Sequence, residues 1–352
     1  MIFEYVDVRG KRATNISLRP PPSLQSYLES VNLFVSPPWI DFHSHVYHGV
    51  TSMGLKPDDI GWRTGVHLLV DAGSSGHETF PGFRDYIMPR YKTKLMAFLN
   101  ISAIGLTTMR EYYDLRNLNP EETAACVTNN PGIIAGIKVR SSGIILEDKY
   151  TEPLKLAVAA AEMANCPLLV HFGESPPSNA ENLAFLRKGD TISHCFHGKV
   201  SPLWDIHGNP IPELEQALSN GVLLDVAHGA ASLSADVASK AVKQDKYTFT
   251  ISTDLHMRCI NGPVYSLSHT MTKFLSMGLP LINTIASVTE IPAMRLNLPD
   301  WCSDIEKNAT IFQIRKKTAA DYPFVDSRNT PFSVEDVIEP VAVIMDGQWM
   351  II

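Results

Sequence analysis

The 352-residue sequence predicts an α/β fold, a (β/α)8 TIM barrel with a small β-sandwich domain formed by the N- and C-terminal segments. Three observations lead there. Short apolar, β-rich runs alternate with amphipathic helical stretches, as in βα units around a parallel sheet. Eight such runs recur about every 30 residues, the length of one βα unit. Both ends of the chain lack this rhythm.

The eight expected strands cover residues 39–43, 67–71, 95–101, 133–139, 167–171, 191–194, 221–226 and 249–253. Helices between them are clearest at 153–164, 181–187, 212–219, 231–243 and 266–277. Gly221 and Gly278 stand where C-terminal caps belong, because glycine enters the left-handed region without a Cβ clash. A barrel of roughly 250 residues accounts for residues 37–298. Residues 1–36 and 299–352 are richer in Pro, Asn and short alternating runs such as Val341-Ala342-Val343-Ile344-Met345-Asp346-Gly347. Neither piece alone holds a core, so the simplest reading pairs the two termini in one small β domain.

Composition fits an ordinary enzyme: 45% hydrophobic and 19% charged residues are enough for one large domain with a small satellite. A net charge of -7 without a basic run argues against a nucleic-acid partner. No stretch reads as a membrane span or secretory signal, so no membrane partner and a cytoplasmic location are expected. The five cysteines, Cys126, Cys166, Cys195, Cys259 and Cys302, form no Cys-x-x-Cys pair and read as reduced packing residues.

Barrel enzymes place their chemistry at the C-terminal ends of the strands, and those ends are not random here. The first strand runs into His43 and His45, one residue apart, a spacing that puts two imidazoles on one face of a strand. The fourth delivers Lys138, the fifth His171, the sixth His194 and the eighth Asp254. Each has a bland alternative: a hydrogen-bonded core histidine, a snorkelling lysine, or an aspartate capping the next helix. Jointly, the bland readings require six independent coincidences at one rim.

This order, His-x-His, Lys, His, His, Asp, resembles the amidohydrolase superfamily of metal-dependent hydrolases. Trp39-Ile40-Asp41-Phe42-His43-Ser44-His45-Val46-Tyr47, Thr64-Gly65-Val66, Leu69-Val70-Asp71-Ala72-Gly73-Ser74 and Phe98-Leu99-Asn100-Ile101 resemble its dihydroorotase-like deacetylase branch. So do Gly136-Ile137-Lys138-Val139-Arg140, Asp225-Val226-Ala227-His228-Gly229 and Ile251-Ser252-Thr253-Asp254-Leu255-His256. The likeness spans the barrel and, more weakly, the tail. It implies a barrel with a β-sandwich built from both termini and a metal-dependent hydrolysis of acyl amides or esters. Two departures are local: a shorter N-terminal segment, and Pro37-Pro38 where Pro-Gly commonly precedes Trp-Ile-Asp.

A lysine ammonium cannot ligate a cation, so Lys138 needs a strongly lowered pKa or conversion to a carbamate by CO2. The resemblance favours the carbamate, bridging two divalent metal ions, zinc first among them, with His43, His45 and Asp254 on one and His171 and His194 on the other. The alternative is a single-metal site with Lys138 in a salt bridge. Paired ions lower the pKa of a shared water from about 15.7 toward neutrality. Asp254 is then expected to take the proton from a metal-bridging hydroxide and pass it to the leaving group. A residual site charge of about +1, with Arg140 adding to it, favours an anionic substrate. Arg140 and Ser74 are candidates to hold a substrate carboxylate, Tyr47 and His228 to donate to the oxyanion. Against these stand a salt bridge for Arg140 and a simple turn for Ser74. His48, His67, His77, His197, His256 and His269 receive no role.

The expected function is hydrolysis of an amide or ester bond in a small carboxylate-bearing molecule such as an N-acyl amino acid, by a homo-oligomer. A cyclic amidase of the dihydroorotase kind and a β-aspartyl dipeptidase are the alternatives within the fold. A non-catalytic scaffold is the alternative outside it, disfavoured because none of the six ligand positions is missing.

Overall fold

The computed structural model describes residues 2–7, 12–18, 20–22, 33–146 and 148–352. Parts of the expected N-terminal segment, at 8–11 and 23–32, lie outside the described residues. Three strands belong to that segment, β1 (Ile2–Asp7), β2 (Arg12–Ser17) and β3 (Leu33–Ser36). Eight more follow: β4 (Trp39–Ser44), β5 (Val66–Gly76), β6 (Lys94–Asn100), β7 (Ile134–Ser141), β8 (Leu168–Phe172), β9 (Thr191–Ser193), β10 (Leu223–Asp225) and β11 (Phe249–Thr250). The tail contributes β12 (Ala309–Lys316), β13 (Asp336–Met345) and β14 (Gln348–Ile351).

Strands β4 to β11 form one sheet in sequence order, every neighbouring pair parallel. The seam between its edges is nearly closed by backbone bonds: Asp254 N donates to His43 O at 2.7 Å and His45 N to Leu255 O at 2.9 Å. The remaining strands make a six-stranded sheet in the order β14-β13-β12-β3-β1-β2, so both termini do meet in one β unit. It rests on the barrel where His67 Nε2 lies 3.0 Å from Ile344 O and Thr310 Oγ1 donates to Gly65 O at 2.9 Å.

Element boundaries move where backbone chemistry outweighs apolar pattern. The run at 249–253 is a strand only over Phe249–Thr250, because Asp254 turns into the left-handed region with φ 50°. The helix expected at 231–243 starts at Ala235, where the Ser234 side chain accepts from Val237 N as the N-cap. A helix at Pro120–Thr128 was not foreseen. Its small residues give a weak apolar face, yet Asn119 caps it by accepting from Glu122 N and Pro120 opens it. Gly221 and Gly278 do close their helices, with φ of 89° and 98°. All five cysteines are free thiols. Among the described residues no helix is long and apolar enough to cross a membrane.

One irregularity matters for the site. The β4–β5 pairing loses register between Asp41 and Ser44. A strand with strict alternation cannot present neighbouring residues to one side; a bulge can. Here Phe42 joins Val70, Phe98 and Leu169 in the apolar barrel interior, while His43, the next residue, reaches across the barrel to β7 and β10. The short helix Glu290–Arg295 packs Ala293 into the same apolar cluster, followed by Leu296, and closes the floor.

Candidate metal centre

The structure brings the six residues expected at the strand ends to one place. Lys138 Nζ is 3.4 Å from His43 Nε2. Asp254 Oδ1 is 3.5 Å from His43 Nε2 and 3.1 Å from His45 Nε2. His194 Nε2 is 2.9 Å from His171 Nδ1. The groups connect through His43, His194 and Asp254, whose ligand atoms all lie within 4.8 Å of one another. All are buried except His171, which is partly so.

The far nitrogens of three rings are tied down, which fixes the near ones. His43 Nδ1 lies 3.1 Å from Asp225 Oδ2, His45 Nδ1 lies 2.9 Å from Ser74 Oγ, and His194 Nδ1 donates to Ala227 O at 2.7 Å. For His43 and His194, whose partners can only accept, this leaves Nε2 with its lone pair toward the centre, the pattern by which proteins orient metal-ligating imidazoles. The Ser74 hydroxyl serves His45 in either tautomer. Asp225 is itself held by Thr250 Oγ1 at 2.5 Å and Ser252 Oγ at 2.6 Å.

The backbone is unusual at the same spots. His194, Ala227 and Asp254 have φ of 65°, 42° and 50°, a region that residues with a Cβ seldom adopt. Two glycines make room. A Cβ at Gly73 would come within 2.7 Å of Lys138 Cβ, and one at Gly229 would strike Asp254 Oδ2.

Burial sets the protonation states. It lowers His171 and His194 well below the ordinary imidazole value, and His43 is also lowered by burial and by Lys138, so these rings are neutral. Burial pushes Lys138 down to about 7. Burial would raise Asp254, but the hydrogen bond with His45 and the fields of His43 and His256 reverse this and hold it well below the usual carboxylate range.

Four residues expected to meet substrate have other partners in this structure. Arg140 pairs through Nε and Nη2 with both oxygens of buried Glu111, at 2.5 Å each, so its charge is neutralised and the fork meant for a substrate carboxylate is occupied. Tyr47 turns away into the apolar core and donates its hydroxyl to Thr79 O at 2.7 Å. Ser74 orients His45 and is fully buried. His228 Nδ1 donates to Gly229 O at 2.9 Å while its Nε2 faces Lys273 Nζ at 2.8 Å, so no N–H remains for an oxyanion. Asp225, Glu111 and Lys273 were missed. The signal for Asp225 was present: a carboxylate ending the apolar run Leu223-Leu224-Asp225 on the strand beside the His194 strand.

No protein-family model matches the chain. It is 34% identical over 338 residues to a deacetylase of Agrobacterium fabrum, a match covering 94% of this chain and 82% of that protein. A solved structure described as a dihydroorotase superposes with a TM-score of 0.80 at 34% identity, over 90% of this chain and 84% of the other. One described as an adenine deaminase superposes with a TM-score of 0.85 at 32% identity, over 91% and 88%. With its nearly closed parallel barrel and converging histidine, lysine and aspartate side chains, the chain belongs to the amidohydrolase superfamily, in its dihydroorotase-like deacetylase branch, and is a hydrolase of C–N bonds.

Proposed function

We propose that this centre hydrolyses the amide or ester bond of a small carboxylate-bearing molecule such as an N-acyl amino acid. The observation that carries the reading is the convergence of the His43 and His194 imidazoles with the Asp254 carboxylate, His45 standing beside it and each of the three rings tied from behind. That donor set fits divalent ions, and its nitrogen content suits zinc. His43, His45 and Asp254 would hold one ion, His171 and His194 another, and Lys138 would contribute to both as a carbamate. Such ions supply Lewis acidity to the scissile carbonyl and acidify the attacking water.

The chain's own groups do the rest. With its pKa near 7, Lys138 keeps a neutral amine fraction at neutral pH, the form that attacks CO2. Asp254, ionised and 3.1 Å from His45, is the base that takes the proton of the attacking water and returns it to the leaving amine or alkoxide. Burial of the surrounding side chains keeps bulk water away and strengthens each of these interactions. With Arg140 committed to Glu111, the preference for an anion rests on the charge of the ions themselves. The neighbouring dihydroorotase structure supports a second reading, a cyclic amidase.

Chain produced with zinc and bicarbonate is expected to carry close to two metal ions, and less than one per chain would overturn the metal reading. A screen of N-acyl-D- and N-acyl-L-amino acids and acyl hydroxy acids is expected to release the carboxylic acid. Ring opening without acid release would select the cyclic amidase. Lys138→Ala is expected to lose metal and to regain it with a short carboxylic acid; full loading without rescue would favour a single-metal site.

A further inference from the structure

We propose that Arg295, at the floor of the barrel, is a positioning residue for the metal centre, acting on His43 through Thr250 and Asp225. The side chain rises from the floor helix Glu290–Arg295. Its Nη1 donates to Leu224 O at 2.5 Å and to Thr250 Oγ1 at 3.1 Å. Thr250 Oγ1 donates onward to Asp225 Oδ1 at 2.5 Å, and Asp225 Oδ2 lies 3.1 Å from His43 Nδ1. Both ends donate toward the carboxylate between them: Arg295 through the Thr250 hydroxyl to Asp225 Oδ1, and His43 Nδ1 directly to Oδ2, so Asp225 is held from two sides.

Two features set Arg295 apart from a packing residue. Its Nε and Nη2 are buried without a hydrogen-bond partner, a cost that an apolar side chain of similar length would avoid. Burial lowers the guanidinium to about 10, opposed by the field of Asp225, and it stays cationic at neutral pH. What the charge does is therefore the reason to keep it. Asp225 is a fully buried carboxylate whose hydrogen-bonding neighbours are two hydroxyls and one imidazole. The guanidinium fixes the Thr250 hydroxyl that donates to this carboxylate, and so holds the carboxylate in the orientation that fixes the ring of His43. Arg295 also stands 5.9 Å over the ring of Phe42, the residue beside His43 in β4.

This inference rests on His43 being a metal ligand. Wild-type, Arg295→Met, Arg295→Lys, Thr250→Val and the Met/Val double variant would be stripped of metal and titrated with zinc against a competing chelator. Arg295→Met is expected to weaken zinc binding about 10–100-fold, as for other groups that orient metal ligands, while its metal-free Tm stays level or rises. Thr250→Val weakens it by less, Arg295→Lys recovers part of the loss, and the double variant binds no worse than Arg295→Met, because both changes cut one chain. Zinc affinity within twofold of wild type in Arg295→Met, or additive losses in the double variant, would overturn the proposal. Should Arg295→Met not fold, unchanged affinity in Thr250→Val overturns it equally. A wild-type chain that binds no zinc removes the metal reading itself.

Discussion

At the floor of the barrel, Ile40, Phe42, Val70, Phe98 and Leu169 meet Ala293 and Leu296, and this apolar cluster, unlike the neighbouring Arg295, asks only that volume be filled. At the rim, the same strands end in buried His43, Lys138 and Asp225 and partly buried His171, polar groups that each need a partner in a fixed direction. The floor tolerates any arrangement that packs densely. The rim holds left-handed backbone at His194, Ala227 and Asp254 to aim its groups. Stability therefore sits mainly below, and precision above, within one set of strands.

The sharpest way to break this division is Asp254→Asn. Turnover is expected to fall about 10³-fold, within the usual range for losing a general acid–base, while much of the metal and the Tm remain. Near-normal turnover by steady-state assay would exclude Asp254 as the proton carrier. Phe98→Ala probes the opposite end. Removal of a buried ring packed edge-on to Phe42, with centroids 5.6 Å apart, should cost about 3–5 kcal/mol in denaturant unfolding, with unchanged metal per folded chain. Loss of metal in the folded fraction would show that floor and rim are not separable.

A third environment, the contact between barrel and terminal sheet, predicts a pH effect. Burial lowers His67 to about 4 from the ordinary 6.5, so the ring is neutral in the fold. The unfolded chain takes up the proton first as pH falls. The contribution of His67 is thus complete above pH 6.5 and is lost as pH drops from there toward 4, by at most roughly 3 kcal/mol. His67→Gln, which keeps a donor for Ile344 O, should flatten the fall of stability between pH 6.5 and 4; an unchanged slope would reject this. The smallest effect is expected from Tyr47→Phe: about 1 kcal/mol of stability from the lost bond to Thr79 O, and kcat within about twofold. A 100-fold drop in kcat would return Tyr47 to the chemistry.

Residue type and strand position made much of the centre legible. His43, His45, Lys138, His171, His194 and Asp254 were marked because polar groups ending apolar runs stand out against a β pattern, and the structure gathers them. The residues assigned to substrate fared differently. Tyr47, Ser74, Arg140 and His228 lie at or beyond strand ends, where side-chain direction follows loop geometry rather than period. Arg140 illustrates the point: its partner Glu111 comes from a loop 29 residues earlier, and no local pattern couples them.

By itself, then, the sequence determined the alternating α/β order, the barrel, the meeting of the two termini and the identity of the groups at the strand ends. These follow from short-range periodicity and chain length. Only the tertiary structure decided where those groups point. The register slip that lets Phe42 and His43 share the barrel interior depends on β5. The Asp225 carboxylate behind His43 is 182 residues away, and Arg295 reaches Leu224 across 71. Hydrogen bonds of this reach are selected by packing, because only the closed barrel brings their partners within 3 Å or so of each other.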